Sequence, residues 1–177
     1  MERPPRIAGS VFTAGTDSGF DTMPSPTSDA AEIDINDQPG HLIRRAHQIA
    51  VSVFHEKLGR DVTPVQYAIL RTLQKKPGID QVTLAQQVAL DTSTAADIAA
   101  RLETKGWITR QVLARGQREL RLTAEGTTLL AQTVPAMAQM QDALFGTMSE
   151  QERRDFMKLL AKFVTANNDR SRAPMRA

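Results

Sequence analysis

TLAQQVALDTSTAADIAARLETKGWITRQVLARGQRELRL, residues 83–122, decides the fold. It reads as a short helix over about 83–89, a turn at Leu90-Asp91-Thr92, and a longer helix over about 93–105. Thr83-Leu84-Ala85-Gln86 is read as a Thr-x-x-Gln capping box that opens the short helix. Two β-leaning runs follow, 107–113 and 118–122, joined by Ala114-Arg115-Gly116-Gln117, where Gly116 supplies a positive-φ turn residue. A short helix, a tight turn and a longer helix have the spacing of a helix-turn-helix, and the hairpin behind them is a wing. The competing reading is a generic helical bundle with an incidental hairpin. The shortness of 83–89 and the immediate restart after the turn argue against it.

Outward from that stretch, helix starts are legible. Thr63-Pro64-Val65-Gln66 places a hydroxyl cap, a proline whose missing N–H costs nothing at the first helical position, and a Gln that reaches back to the cap. Ser149-Glu150-Gln151-Glu152 repeats the box with a carboxylate. The remaining helices are expected at about 39–59, 63–75, 124–145 and 149–166, with Pro135 kinking the long one. The fold class is therefore mainly α with a small β-hairpin wing. Residues 1–38 read as an acidic tail, with Pro4, Pro5, Pro24 and Pro26 among Gly, Ser, Thr and Asp, and Met23 an acceptable alternative start. Residues 167–177 read as a C-terminal tail.

The net charge of +2 over 177 residues hides an uneven distribution. Residues 1–38 carry 2 basic and 7 acidic side chains, whereas 39–177 carry 20 basic and 13 acidic, a net of +7. A basic body suits a polyanionic partner. The chain has no cysteine, which excludes disulfides, thiolate metal sites and thiol-based redox sensing. No stretch reaches the roughly 20 apolar residues of a membrane span. Arg3 and Arg6 are not followed by an apolar run, so a secretory signal is not expected. A cytoplasmic protein without a membrane partner or cofactor is the expectation.

The longer helix opens Thr92-Ser93-Thr94-Ala95-Ala96-Asp97 and runs on to Arg101 and Lys105. Short hydroxyls at a helix N-terminus approach base edges or phosphates closely, and one of the three threonine and serine residues is expected to act as the cap. Ala95 and Ala96 keep that end slim enough for a major groove about 12 Å wide. Arg101, two turns on, can reach a base or the backbone, while Ile98 and Leu102 face the core. Arg115, Gln117 and Arg118 sit at the hairpin tip, where an arginine can enter a narrow minor groove. The blander reading is helix capping at one place and a solvated turn at the other.

With these segments in order, the chain resembles the MarR family of bacterial regulators. The carrying residues are Thr63-Pro64-Val65-Gln66-Tyr67, Leu84-Ala85, Arg101-Leu102-Glu103-Thr104-Lys105-Gly106-Trp107-Ile108-Thr109-Arg110, and Leu120-Arg121-Leu122-Thr123-Ala124-Glu125-Gly126. The resemblance spans about 39–165. The wing departs from it: the family's Asp-Arg-Arg signature, whose Asp braces an arginine against the recognition helix, is replaced by Ala114-Arg115-Gly116-Gln117-Arg118 in a hairpin about two residues shorter. The resemblance implies a winged helix-turn-helix core over about 63–123, a domain ending near 166, and a homodimer built from helices at about 39–59 and 124–166. It also implies a duplex operator as partner. Phe156, Leu159, Leu160, Phe163 and Val164 form one apolar stripe that fits a subunit contact.

Such regulators often release DNA when an aromatic or phenolic acid binds between the first helices and the dimerisation helices. On a helical wheel Ile43, Ala46, Ile49, Ala50, Val53 and Phe54 form a core stripe, and His41, Arg45, Gln48, Ser52 and His55 a separate polar face. The resemblance turns that face toward the pocket. Arg45 can pair with a carboxylate, the histidines with a ring hydroxyl, Tyr67 supplies an aromatic wall, and Arg71 is a second anion partner. The run HLIRRAHQI at 41–49 is similar to regulators responsive to benzoate or hydroxybenzoate. A solvated polar face is the alternative. A metal site from His41, His47 and His55 is disfavoured, because those spacings do not put three imidazoles on one side. A small helical enzyme acting on an aromatic acid lacks a nucleophile–base pair and a phosphate-cradling loop, and a winged helix that binds protein is the third reading.

Overall fold

The computed structural model describes residues 34–112, 116 and 118–176. Among the described residues six α-helices and three short strands follow one another: α1 (Pro39–Leu58), α2 (Pro64–Lys75), β1 (Ile79–Asp80), α3 (Gln81–Gln87), α4 (Thr92–Thr104), β2 (Ile108–Val112), β3 (Arg118–Leu122), α5 (Ala124–Phe145) and α6 (Glu150–Ala166). The mainly helical winged helix-turn-helix expected from the sequence is present. Among the described residues no helix is long and apolar enough to cross a membrane.

Local hydrogen bonding explains most of the helix starts. The Thr63 hydroxyl accepts the Gln66 N–H at 3.3 Å while the Gln66 amide oxygen accepts the Thr63 N–H at 3.1 Å. Ser149 and Glu152 repeat this reciprocal pair. The box expected at Thr83 does not form. Asp80 is the cap of α3, its carboxylate accepting N–H bonds from Val82 and Thr83 and the Thr83 hydroxyl at 2.5 Å. An ionised carboxylate with three donors outcompetes one hydroxyl, so α3 starts and ends about two residues earlier than expected. α5 continues through Pro135.

The sheet has a strand that the sequence did not reveal. β2 and β3 pair antiparallel, with Ile108 opposite Leu122 and Val112 opposite Arg118, as a wing requires. β1 adds to the other edge of β3, Ile79 opposite Leu120, giving the order β1-β3-β2. Two residues are too few to show a period of 2. Gly78, at φ +81°, turns the chain into that edge.

The core joins Ile69, Leu70 and Leu73 of α2 to Leu84, Ala99, Leu102, Ile108, Leu120 and Leu130, all essentially inaccessible. One cluster therefore fixes α3, α4, the wing and the start of α5 together. The terminal helices are different. α6 buries no residue, and its stripe of Phe156, Leu159, Leu160, Phe163 and Val164 lies exposed. The core stripe expected on α1 holds only at its C-terminal end: Phe54 is buried, but Ile43 and Ile49 are 48% and 51% exposed and Ala46 is exposed too. Among the described residues, those side chains of α1 stay uncovered.

Candidate nucleic-acid interface

α4 is divided by its helical period. Ala95, Ala99 and Leu102 point into the core, with Ile98 half-buried beside them. Thr92, Ser93, Asp97 and Arg101 lie exposed, and the last three share one row at four-residue spacing. Arg101 stands about 14 Å along the axis from Thr92. Ala95 belongs to the core rather than to the slim outer edge, because its Cβ falls on the row shared with Ala99 and Leu102.

Asp91 caps this helix, which overturns the expectation that one of Thr92, Ser93 or Thr94 does so. Its carboxylate accepts the Thr94 N–H and the Thr94 hydroxyl, both at 2.8 Å, and the Ser93 hydroxyl at 2.6 Å. Thr94 is half-buried and committed to that cap. Ser93 is exposed and keeps its oxygen lone pairs as acceptors. The Ser93 and Thr94 bonds, with the Arg172 charge, hold the Asp91 carboxyl well below the usual carboxylate range. A group whose folded value is lowered stabilises the fold above its unfolded value, about pH 4. That contribution disappears as pH falls through the lowered folded value. The Tm gap between wild type and Asp91→Ala is thus expected to stay constant from neutral pH to about pH 4 and to close below it. A gap unchanged in stronger acid contradicts the assignment.

The wing is braced to α4 by an ion pair between Glu103 and Arg110. Glu103 accepts Arg110 Nε at 2.8 Å, a second guanidinium nitrogen at 2.5 Å, and the Arg110 backbone N–H at 3.2 Å. Their separation of seven residues crosses a helix end and a turn, so neither helical nor strand period predicts the meeting. The Arg110 bond is the main cause holding Glu103 below its ordinary value, and the Arg118 charge adds to it. Arg118 is exposed at the start of β3, on the side of the wing that reaches Glu103. Arg115 and Gln117 lie outside the described residues. Lys105 donates to the Asp61 carbonyl at 2.5 Å and lies 4.3 Å from the Trp107 ring centre, tying the end of α4 to the loop before α2.

The second candidate site divides into parts. Tyr67 meets Phe54 edge-on at 6.2 Å, and Phe54 meets His55 at 5.6 Å, so one end of the set is contiguous. His55 Nδ1 is 2.9 Å from the Gly59 carbonyl. His41, near the start of the same helix, is about 21 Å away along the axis, and Arg45, Gln48 and Ser52 are exposed between them. Gln48 accepts a bond from Arg44 at 2.8 Å, and Arg71 bonds Gln74.

Comparison with known proteins agrees with this geometry. The MarR family profile matches residues 62–120, the segment from the loop before α2 to β3. The transcriptional regulator HosA of Escherichia coli O111:H- is 32% identical over 128 residues, 71% of this chain and 94% of that protein. The PcaV transcriptional regulator from Streptomyces coelicolor, solved with its natural ligand, superposes with a TM-score of 0.72 at 30% identity, covering 77% of this chain and 98% of that one. BpsR of Bordetella bronchiseptica, whose DNA binding is regulated by 6-hydroxynicotinic acid, gives a TM-score of 0.69 at 27% identity, covering 73% and 96%. These relatives are regulators rather than enzymes. Profile, full-length relatives and fold agree, and the chain belongs to the MarR family of transcriptional regulators.

Proposed function

We propose that the protein is a repressor that binds duplex operator DNA as a homodimer and is released by a small aromatic carboxylate or phenol. Two copies of α4 enter successive major grooves, with Thr92, Ser93, Asp97 and Arg101 turned toward base edges and phosphates and Thr94 held back in the cap. Arg118, with Arg115 and Gln117, carries the wing to the minor groove. The observation that carries this reading is the exposed polar row of α4, backed by Ala95, Ala99 and Leu102 in the core and braced through Glu103 to the wing. A rigid backing is what a recognition helix needs, because contacts to base edges fail when the helix can roll.

The effector reading rests on the polar face of α1 with Tyr67 and Arg71. The face is longer than a single aromatic ring, so one ligand engages part of it. His55 and Tyr67 form the aromatic end, while Arg45 and Gln48 supply the anion-binding end. The regulation of BpsR by 6-hydroxynicotinic acid supports an acid of this class. Release is a population shift, so the effector must bind better to a spacing of the two α4 helices that does not fit DNA.

The double variant Arg101→Ala, Arg118→Ala tests the central claim. Duplex affinity at moderate salt is expected to fall at least about 100-fold, with the slope of log affinity against log salt shallower by about 2 to 4. Unchanged duplex binding overturns the reading. A thermal-shift screen of hydroxylated benzoates with and without DNA tests the effector, which must raise Tm alone and weaken the complex.

A further inference from the structure

The segment after α6, expected from its sequence to be a tail, is folded against the helix-turn-helix. After α6 the chain makes a 3-10 turn at Asn168–Arg170 and doubles back. The loop is closed by a reciprocal pair, Asn168 Nδ2 donating to the Met175 carbonyl at 3.0 Å and the Met175 N–H donating to Asn168 Oδ1 at 2.8 Å. From there the Arg176 N–H donates to the Gln86 carbonyl in α3 at 3.1 Å. The Arg172 guanidinium lies 3.4 Å from Asp91 Oδ2, the cap of α4. The groove beneath, about 490 Å³, has Phe163, Val164 and Met175 facing Ala89 of the turn between α3 and α4. Ala89 is the one non-glycine residue at positive φ among those described.

The geometry points to a role for this strap as part of the DNA interface: Arg172, with Arg176 beside it, contacts backbone phosphates next to the groove that α4 enters. The inference rests on the DNA-binding reading above. In a helix-turn-helix the first helix crosses the phosphate backbone and the N-terminus of the second enters the groove. The strap is anchored to both, through Gln86 of the one and Asp91 of the other. Arg172 has a side chain 90% exposed, and among the described residues it bonds Asp91 alone, which leaves most of the guanidinium's five donors for a further partner. Asp91 is a fixed negative charge at the very end of α4, where it repels a phosphate. Arg172 offsets that charge and adds a fork suited to a phosphate oxygen pair. Arg170, Arg172 and Arg176 against Asp169 make the strap basic.

Arg172→Ala, Arg172→Lys and Arg172→Ala, Arg176→Ala are compared with wild type on a labelled random-sequence duplex of about 30 base pairs across a sodium chloride series, because phosphate contacts do not need the operator. Arg172→Ala is expected to lower affinity at least about tenfold and to flatten the salt slope by about 2, one lost phosphate per protomer. The double variant flattens it further, and Arg172→Lys retains the wild-type slope. An unchanged slope in Arg172→Ala overturns the inference, including when its Tm falls, since Arg172 is then only a latch on Asp91. If wild type binds the duplex and Arg101→Ala, Arg118→Ala weakens it while the strap variants do not, the strap inference fails alone. A wild-type protein that binds no duplex overturns both.

Discussion

Leu160→Glu is expected to leave the protein monomeric and to remove high-affinity duplex binding. Among the described residues α6 has no buried side chain, and Leu159, Leu160, Phe163 and Val164 are 64%, 41%, 50% and 53% exposed. Leu42 and Ile49 of α1, seven residues apart, share a second apolar row that the described residues leave exposed, and Ile43 is exposed as well. Monomeric proteins rarely show contiguous apolar patches above a few hundred Å², and each half-exposed side chain of this size returns about 1 kcal/mol when covered. In a two-fold interface one substitution is introduced twice, and each buried unpaired carboxylate costs several kcal/mol. A monomer also loses the linkage between half-sites, which contributes about 100-fold or more to affinity. Light scattering coupled to size exclusion, followed by duplex titration, reads both effects. Lys158→Glu, on the polar face of the same helix, should leave the dimer intact. If Leu160→Glu remains dimeric at micromolar concentration, the α6 stripe is not the subunit contact.

Gly126→Ala should destabilise the protein by about 3 kcal/mol, lowering Tm by roughly 6–12 °C for a chain of this length. The sign is the informative part. Inside a helix, alanine is ordinarily more stable than glycine by about 0.5–1 kcal/mol. Here a Cβ would lie 2.0 Å from the Trp107 carbonyl oxygen and 2.9 Å from its carbon, and backbone does not swing aside. The same spot is crossed by other bonds. The Trp107 carbonyl accepts the Thr123 N–H at 3.1 Å, and the Thr123 hydroxyl caps α5 through the Gly126 N–H while donating to the Gly106 carbonyl at 2.6 Å. The end of the recognition helix, the base of the wing and the start of α5 are thus knotted at one point. Opening it should also loosen the wing and weaken duplex binding. Gly40→Ala, where an added Cβ meets nothing within 4 Å, is the control and should not lower Tm. A Gly126→Ala protein as stable as wild type would show that this approach relaxes at little cost.

Much of the molecule is written in bonds that close within four residues. Thr63 with Gln66, Ser149 with Glu152, and the β-leaning runs on either side of Gly116 announce themselves, since each signal lies in one short window. The apolar row of α6 is equally plain, because periodicity needs no partner to be visible. The caps that differ from expectation are local as well: Asp80 and Asp91 stand one residue before their helices, and their carboxylates are stronger acceptors than the neighbouring hydroxyls. Other features have no short-range signature. β1 exists because the edge of β3 was open to two passing residues. Glu103 meets Arg110 because the helix end and the turn after it fold the chain back. Residues 168–176 lie on α3 and α4 because the end of α6 is carried there, more than 80 positions from Gln86 in sequence. Each of these depends on where the packed core sets distant backbone, and the free energy that selects them is shared across many buried side chains. No window of the chain contains it.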